Sequence, residues 1–245
     1  MTRQKNIILI LFSLFILSSC TQYDIKKDGV YYIEWNEARG KNERLIKDAD
    51  PKTFKTLEND IYAVDKNHVF YEGGIILKAD PKTFKVLENG YAIDKNRAFY
   101  YRDLIENSSS RGFEIINSYY SKDYKNIFYE TFSLNVCSVK NFKFVYNDNS
   151  ERDWERWSTD GCNYFIKNFK VPTENYKNLK IYKGSAGISS DDKFVYYLDR
   201  NIYYNEEGER VLDTIDINSF KVKDYLDCED KFGCINVFHG RKNCE

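Results

Sequence analysis

Histidine is the residue that most often does acid–base chemistry, and the chain has only two, His68 and His239. A Ser-His-Asp or Cys-His arrangement would have to use one of them. Internal copies of the motif around His68 carry Arg97, Asn126 and Phe194 in its place, which predicts an exposed turn residue. The sequence contains no Gly-x-Ser-x-Gly, phosphate-binding glycine loop or His-Glu-x-x-His string. It therefore predicts no catalytic residues and no enzyme activity.

Carboxylates offer a second kind of chemistry, either metal binding or acid–base catalysis. Asp65 and Asp94 are each followed two residues later by Asn, as at the opening of a calcium loop. The later carboxylates that complete about six to eight oxygen ligands are missing. We therefore expect these aspartates to cap turns, with no metal and no cofactor bound. A hydrolase that uses Asp123 or Asp191 is the least favoured function, because both residues occupy a turn position of a repeat.

The N-terminus has the order of an export signal. Arg3 and Lys5 precede an apolar run over residues 7–17, and two serines then lead into Cys20. The run covers about eleven residues, which is too short for the roughly 20 that a membrane-spanning helix needs. The sequence therefore predicts a signal peptide over residues 1–19.

The segment Leu17-Ser18-Ser19-Cys20 resembles the lipobox of bacterial lipoproteins. The resemblance implies a mature chain that begins at Cys20 and carries acyl groups such as palmitate there. Several acyl chains can hold a protein at a membrane where one gives only marginal binding. Thr21 follows Cys20, which by analogy favours the outer membrane if the source has two membranes. The expected location is the cell envelope, with a lipid anchor and a folded part in water.

Five cysteines remain after Cys20, and export to an oxidising space favours disulfides among them. We expect a bridge among the three C-terminal cysteines and a pair of Cys137 with Cys162. An odd number leaves at least one thiol free or intermolecular. A zinc site that adds His239 to the C-terminal group is disfavoured, because the spacings do not match tight zinc knuckles. The candidate disulfide cysteines are Cys137, Cys162, Cys228, Cys234 and Cys244.

Trp154 and Trp157 are the candidate binding residues, three apart in a charged stretch over residues 147–161. On a helix they would share one face. They could stack on sugar rings or anchor a protein partner, since Trp is frequent at interaction hot spots. Packing of the pair onto a β core is the alternative that we prefer.

Composition and internal repeats define the elements that carry these residues. The net charge of −1 provides no positive electrostatic potential that would attract nucleic acid. The 21 Tyr and 17 Phe among 245 residues favour β-strands. Ala49–Lys55 recurs as Ala79–Lys85, and an Asp-Lys-Asn motif follows each copy. The motif's aspartates at 65, 94 and 123 are 29 residues apart each time, so the array is tandem.

Each repeat predicts a hairpin. Asp-Lys-Asn forms a turn, and short runs rich in β-formers flank it, such as Tyr62-Ala63-Val64 and Val69-Phe70-Tyr71. A third strand is expected at residues 75–77 and a fourth at residues 84–87, with a short helical turn at each Asp-Pro as an alternative. The residues of the predicted aromatic layer are Phe70, Phe99, Phe128 and Tyr196.

Such short units must stack to bury a core. The predicted fold is all-β, with tandem antiparallel hairpin repeats in a meander or solenoid and a partial β-propeller as the alternative. The predicted segments are the signal peptide (1–19), the mature N-terminus with a first hairpin (20–44), tandem repeats (45–130), a divergent insertion (131–187) and a C-terminal repeat block with its cysteine cluster (188–245).

The Asp-Lys-Asn motifs and the aromatic pairs after them resemble the repeat of the DKNYY family, whose usual context is a bacterial lipoprotein. The resemblance covers residues 45–130 and, more faintly, 188–239. It implies no reaction and no catalytic residues. The favoured function is a non-catalytic binding or interaction module at the envelope, with an envelope protein or a glycan as partner and the membrane contacted through the acyl anchor. A structural or spacer lipoprotein without a specific ligand is the alternative.

Overall fold

The computed structural model describes residues 22–38, 40–57, 60–146, 149 and 151–244, without the side chain of Trp154. Within these residues the chain forms seven small antiparallel sheets in tandem, and they do not close into a barrel. This confirms the all-β class and the tandem hairpin repeats. Helical structure in the described part is limited to two three-residue 3₁₀ segments, Asp153–Glu155 and Tyr176–Asn178. No helix there is long and apolar enough to span a bilayer.

The strands follow one another in chain order within every sheet. Sheet 1 has three strands, β1 (Tyr23–Lys26), β2 (Gly29–Asn36) and β3 (Gly40–Leu45). The other sheets have four strands each: sheet 2, β4 (Lys55–Thr56), β5 (Tyr62–Val64), β6 (Val69–Tyr71) and β7 (Gly74–Ile75); sheet 3, β8 (Lys85–Val86), β9 (Tyr91–Ile93), β10 (Ala98–Tyr100) and β11 (Asp103–Leu104); sheet 4, β12 (Glu114–Ile115), β13 (Tyr120–Lys122), β14 (Ile127–Tyr129) and β15 (Phe132–Ser133); sheet 5, β16 (Lys143–Phe144), β17 (Trp157–Thr159), β18 (Tyr164–Ile166) and β19 (Phe169–Lys170); sheet 6, β20 (Lys180–Ile181), β21 (Ile188–Ser190), β22 (Val195–Tyr197) and β23 (Arg200–Asn201); sheet 7, β24 (Lys221–Val222), β25 (Asp227–Asp230), β26 (Gly233–Asn236) and β27 (Gly240–Lys242).

A buried aspartate organises each four-stranded sheet. In sheet 2, one carboxylate oxygen of Asp65 accepts the N–H groups of Asn67 and His68 at 2.7 and 2.6 Å, which closes the turn of the central hairpin. The other oxygen accepts the N–H of Asp50 at 2.9 Å and so fixes the loop before the first strand. The Asp-Lys-Asn motif is therefore a turn cap and a link between two loops. The six equivalent aspartates, 0 to 8% exposed, are Asp65, Asp94, Asp123, Asp160, Asp191 and Asp230.

The sheets stack face to face, and each junction has its own apolar core. Phe70 packs toward sheet 1 with Phe54, whereas its neighbour Val69 packs toward sheet 3 with Phe84 and Phe99. Side chains alternate between the two faces of a strand, so a sheet between two neighbours buries both faces. The six core clusters in the described residues each join neighbouring sheets, and none of them joins sheet 1 to sheet 7. All four aromatic residues of the predicted layer are buried.

Residues 131–187 diverge in sequence but continue this stack. They contain sheet 5 and the first strand of sheet 6, with the same strand order as the other sheets. In sheet 5, Val171 donates its N–H to the carbonyl of Tyr164 at 3.0 Å, as Leu134 does to Ile127 at 2.9 Å in sheet 4. The divergent segment therefore repeats the backbone of its neighbours.

The boundary of the repeat differs from the predicted one. Lys85–Val86 pairs with Tyr91–Ile93 of the following hairpin, so the strand assigned to the end of one unit is the first strand of the next. The Asp-Pro segments before β4 and β8 form turns. In the first turn, Phe54 donates its N–H to the carbonyl of Asp50 at 3.0 Å. These turns place Phe54 and Phe84 in the junction with the preceding sheet.

The first strand of each four-stranded sheet forms an edge of that sheet, and its sequence protects the edge. Each of these six strands is only two residues long and begins with an exposed charged residue. Short edge strands that carry Lys discourage pairing with another chain. We therefore assign a structural role to this row, which consists of Lys55, Lys85, Glu114, Lys143, Lys180 and Lys221.

Candidate functional site

Of the two predicted binding residues, Trp157 lies inside the protein. It begins β17, is 1% exposed and packs with Ile166, Val171 and Tyr196 in the junction between sheets 5 and 6. A ligand could reach its ring only by displacing that core, so Trp157 has the packing role that we preferred for the pair. Trp154 lies in the 3₁₀ segment before β17, and its side chain is outside the described part.

The cysteines form two disulfides in the described residues. Cys137 pairs with Cys162 across a Cα–Cα distance of 6.7 Å, and Cys234 pairs with Cys244 across 5.2 Å. Cys228 is buried with a free thiol, and burial raises its pKa to about 12. A thiol of that kind is unreactive at neutral pH. Cys20 lies outside the described residues.

The Cys137–Cys162 disulfide replaces a polar link of the other sheets. Cys137 donates its N–H to Asp160 at 2.8 Å, just as Asp50 donates to Asp65 at 2.9 Å. In sheet 2 the same two loops are joined by an ion pair of Lys66 with Asp50 at 3.1 Å. The disulfide is therefore a covalent form of a contact that belongs to the repeat.

The side chains of Cys137, Asp160 and Cys162 lie close enough together to share a metal ion. The two sulfurs are bonded to each other, and both carboxylate oxygens accept N–H groups, including the side-chain amide of Asn163 at 2.8 Å. Burial raises the pKa of Asp160, but these hydrogen bonds outweigh it and hold the pKa below its usual value. The group therefore works as a structural link in this state.

Asp123 and Asp191, the aspartates of the least favoured hydrolase function, also accept hydrogen bonds within turns. Asp123 accepts the N–H groups of Lys125 and Asn126 through one oxygen and that of Ser109 through the other. Asp191 accepts two backbone N–H groups and the hydroxyls of Thr173 and Tyr196, each at 2.7 Å. Burial raises the pKa of Asp191, but these donors outweigh it and lower the pKa overall. Such a carboxylate is a poor general acid at neutral pH.

An open groove at sheet 1 is the best candidate for a binding site. The hairpin of β2 and β3 has strands of eight and six residues, whereas strands in the other sheets have two to four. The groove has a volume of about 900 Å³ and runs from this hairpin to the turn of sheet 2 that carries Glu72. Its lining residues are Gln22, Tyr23, Asp24, Tyr32, Ile33, Glu34, Trp35, Lys41, Arg44 and Glu72.

Arg44 is the central polar group of the groove. Its Nε donates to Glu34 at 2.8 Å, and one of its terminal nitrogens donates to the carbonyl of Glu72 at 2.8 Å. The guanidinium lies 5.5 Å from the centre of the Tyr32 ring, a cation–π arrangement. Arg44 thus connects sheet 1 to sheet 2 and presents a fixed fork of donors beside carboxylates.

Two tyrosines beneath Arg44 form a rigid floor. The Tyr32 hydroxyl donates to the Gln22 side chain at 2.6 Å, and the Tyr23 hydroxyl donates to the carbonyl of Ile61 at 2.6 Å. Burial raises the pKa of both hydroxyls, so both stay protonated donors. Gly73 comes close to this floor with φ of +71°, and a Cβ there would lie 2.8 Å from the Cβ of Tyr32.

Trp35 lies on the groove and is 76% exposed, the largest exposed fraction among the large apolar side chains described. Trp35 was not among the predicted binding residues, both of which lie in the divergent segment. Its position gave one signal, because Trp35 is the next-to-last residue of a run of eight strand residues, which is longer than the strands of the repeats. A tryptophan at such an overhanging end has no sheet opposite it to pack against.

Seven stacked sheets, each four-stranded sheet closed by a buried aspartate, define an all-β tandem-repeat protein. The sequence matches the DKNYY family over residues 23–81 and 75–200, and the chain belongs to this family. The matched range includes sheet 5, where the motif reads Asp160-Gly161-Cys162-Asn163. No curated protein and no solved structure matches the chain.

Proposed function

We propose that the protein is a lipid-anchored envelope protein that works as a non-catalytic binding module, with the groove of sheet 1 as its ligand site. The observation that carries the binding role is the groove itself, where an exposed tryptophan lies beside fixed polar groups. The anchor is supported by the lipobox-like segment that ends at Cys20 and by the short apolar run before it.

A glycan fits the chemistry of the groove best. A tryptophan face can stack on the apolar face of a sugar ring, as aromatic side chains do on flat apolar groups. Glu34, Glu72 and Asp24 provide acceptors for hydroxyl groups, and Arg44 and Lys41 provide donors. The groove is open, so it suits one segment of an extended chain and does not enclose a small ligand.

The test is binding of the soluble domain, residues 21–245, to envelope glycans and to envelope protein extracts. We expect a glycan to be retained, and Trp35→Ala to weaken its binding at least tenfold because the stacking face is lost. Trp35 is 76% exposed, so its loss should leave the melting temperature close to that of the wild type.

Phe232→Ala provides the matched control, since Phe232 is a 56% exposed aromatic in the turn between β25 and β26, far from the groove along the array. It should bind as the wild type does. Retention of a protein and no glycan would contradict the choice of ligand. If neither is retained, the spacer function is the better description.

A further inference from the structure

The proposed anchor lies next to one end of the stack. Sheet 1 begins at Tyr23, three residues after Cys20. Three extended residues span at most about 11 Å, so the chain leaves little separation between an acylated Cys20 and sheet 1. The first sheet is therefore the membrane-proximal end, and sheet 7 is the opposite end of the order.

The outward faces of the two terminal sheets differ. In sheet 7, Cys228 and Ile235 pack inward, so Asp227 and Glu229 face outward, where they pair with Lys242 at 3.0 Å and Lys223 at 3.3 Å. Such a polar outer face is the usual way to cap a repeat protein in water.

Sheet 1 presents apolar residues on its corresponding face. Val30 and Tyr32 pack inward toward sheet 2, and the alternate residues of β2 and their partners on β3 face the other way. Trp35 is 76% exposed and Leu45 is 50% exposed. The apolar side chains of this outward face are Tyr31, Ile33, Trp35 and Leu45.

The charges on this face balance one another. Lys26 pairs with Asp24 and Glu43, and Lys41 pairs with Glu43 at 3.0 Å. Lys26 also lies 4.5 Å from the centre of the Tyr31 ring. Two cations and two carboxylates give no net charge, so this face has no electrostatic preference for anionic lipid. Its tryptophan and tyrosine are the residues that favour the headgroup level of a bilayer.

We propose that the outward face of sheet 1 rests on the bilayer that holds the acyl anchor, with Trp35 at the level of the headgroups and the stack directed away from the membrane. This inference rests on the acyl anchor of the proposed function. It places the groove at the membrane surface. One Trp35 ring cannot contact lipid headgroups and stack on a sugar at the same time, so the bilayer and the glycan compete for it.

The experiment uses the full mature protein, acylated and reconstituted in phosphatidylcholine vesicles whose lipid chains carry a nitroxide quencher near the headgroup. We expect tryptophan fluorescence to be quenched in the wild type and the quenching to be largely lost in Trp35→Phe. Because the aromatic face carries the contact, raising the salt concentration to 1 M or adding anionic lipid should change the quenching little.

A matched control moves the tryptophan to the opposite end. Phe232→Trp in the Trp35→Phe background places an exposed indole in the turn between β25 and β26 of sheet 7, and this variant should show no more quenching than Trp35→Phe alone. Acylation and vesicle binding are checked for every variant. In proteins that are acylated and bound to vesicles, two results would overturn the inference: equal quenching in the wild type and Trp35→Phe, or quenching restored by Phe232→Trp. A mature chain that carries no acyl group would overturn the proposed anchor and this inference with it.

Discussion

Replacing Trp157 by alanine is expected to lower the free energy of unfolding by about 3–5 kcal/mol. The ring is 1% exposed and fills the junction between sheets 5 and 6, where it contacts Ile166 and Tyr196 in one apolar cluster. Its removal leaves a cavity that neighbouring sheets cannot close without a shift of the stack. Urea denaturation followed by circular dichroism measures the change.

Two variants control this result. Trp157→Phe keeps an aromatic ring in the junction and should lose clearly less stability. Trp35→Ala, at a 76% exposed position, should change stability by no more than about 0.5 kcal/mol. A Trp157→Ala protein with wild-type stability and lost ligand binding would show that Trp157 is a binding residue after all.

Replacing Asp94 by alanine is the second large effect, with an expected loss of about 3 kcal/mol. One oxygen of Asp94 accepts the N–H groups of Asn96 and Arg97, both at 2.8 Å, and the other accepts the N–H of Asp80 at 3.1 Å. Alanine leaves these part-buried donors without their acceptor and detaches the loop before β8 from the hairpin turn. The melting temperature and the urea midpoint both report the loss.

Asp94→Asn should fall between the wild type and Asp94→Ala, because the remaining carbonyl oxygen can still accept the two turn N–H groups. Asp103→Ala is the matched control, since this aspartate is exposed on β11 of the same sheet. Equal stability of the Asp94→Ala and Asp103→Ala proteins would contradict the role of the buried aspartates in the repeat.

The sequence was sufficient to predict the hairpins of sheets 2 to 4, because Asp65, Asp94 and Asp123 recur at constant spacing with aromatic residues after each turn. It could not show that each carboxylate also holds the loop about 14 residues earlier, since that contact depends on how the first strand pairs. For the same reason the unit boundary was misplaced at Lys85–Val86.

Sheet 5 was hidden because its turn replaces Lys-Asn by Gly161-Cys162, and the Asp160 position is 37 residues after Asp123. The signal that could have found it is an aspartate four residues before a short run of β-formers, without a fixed spacing between repeats. The groove had no comparable signal. It depends on the overhang of one long hairpin and on the approach of Arg44 to Glu72, which no local pattern specifies.

The lipid anchor at Cys20 is the central claim, because both the envelope location and the membrane-facing end depend on it. The direct measurement is the intact mass of the protein extracted from the membranes of its own cells, with fragmentation of its N-terminal peptide. We expect a chain that lacks residues 1–19 and carries acyl groups on Cys20. A chain that retains those residues, or that begins elsewhere with an unmodified Cys20 thiol, would contradict it.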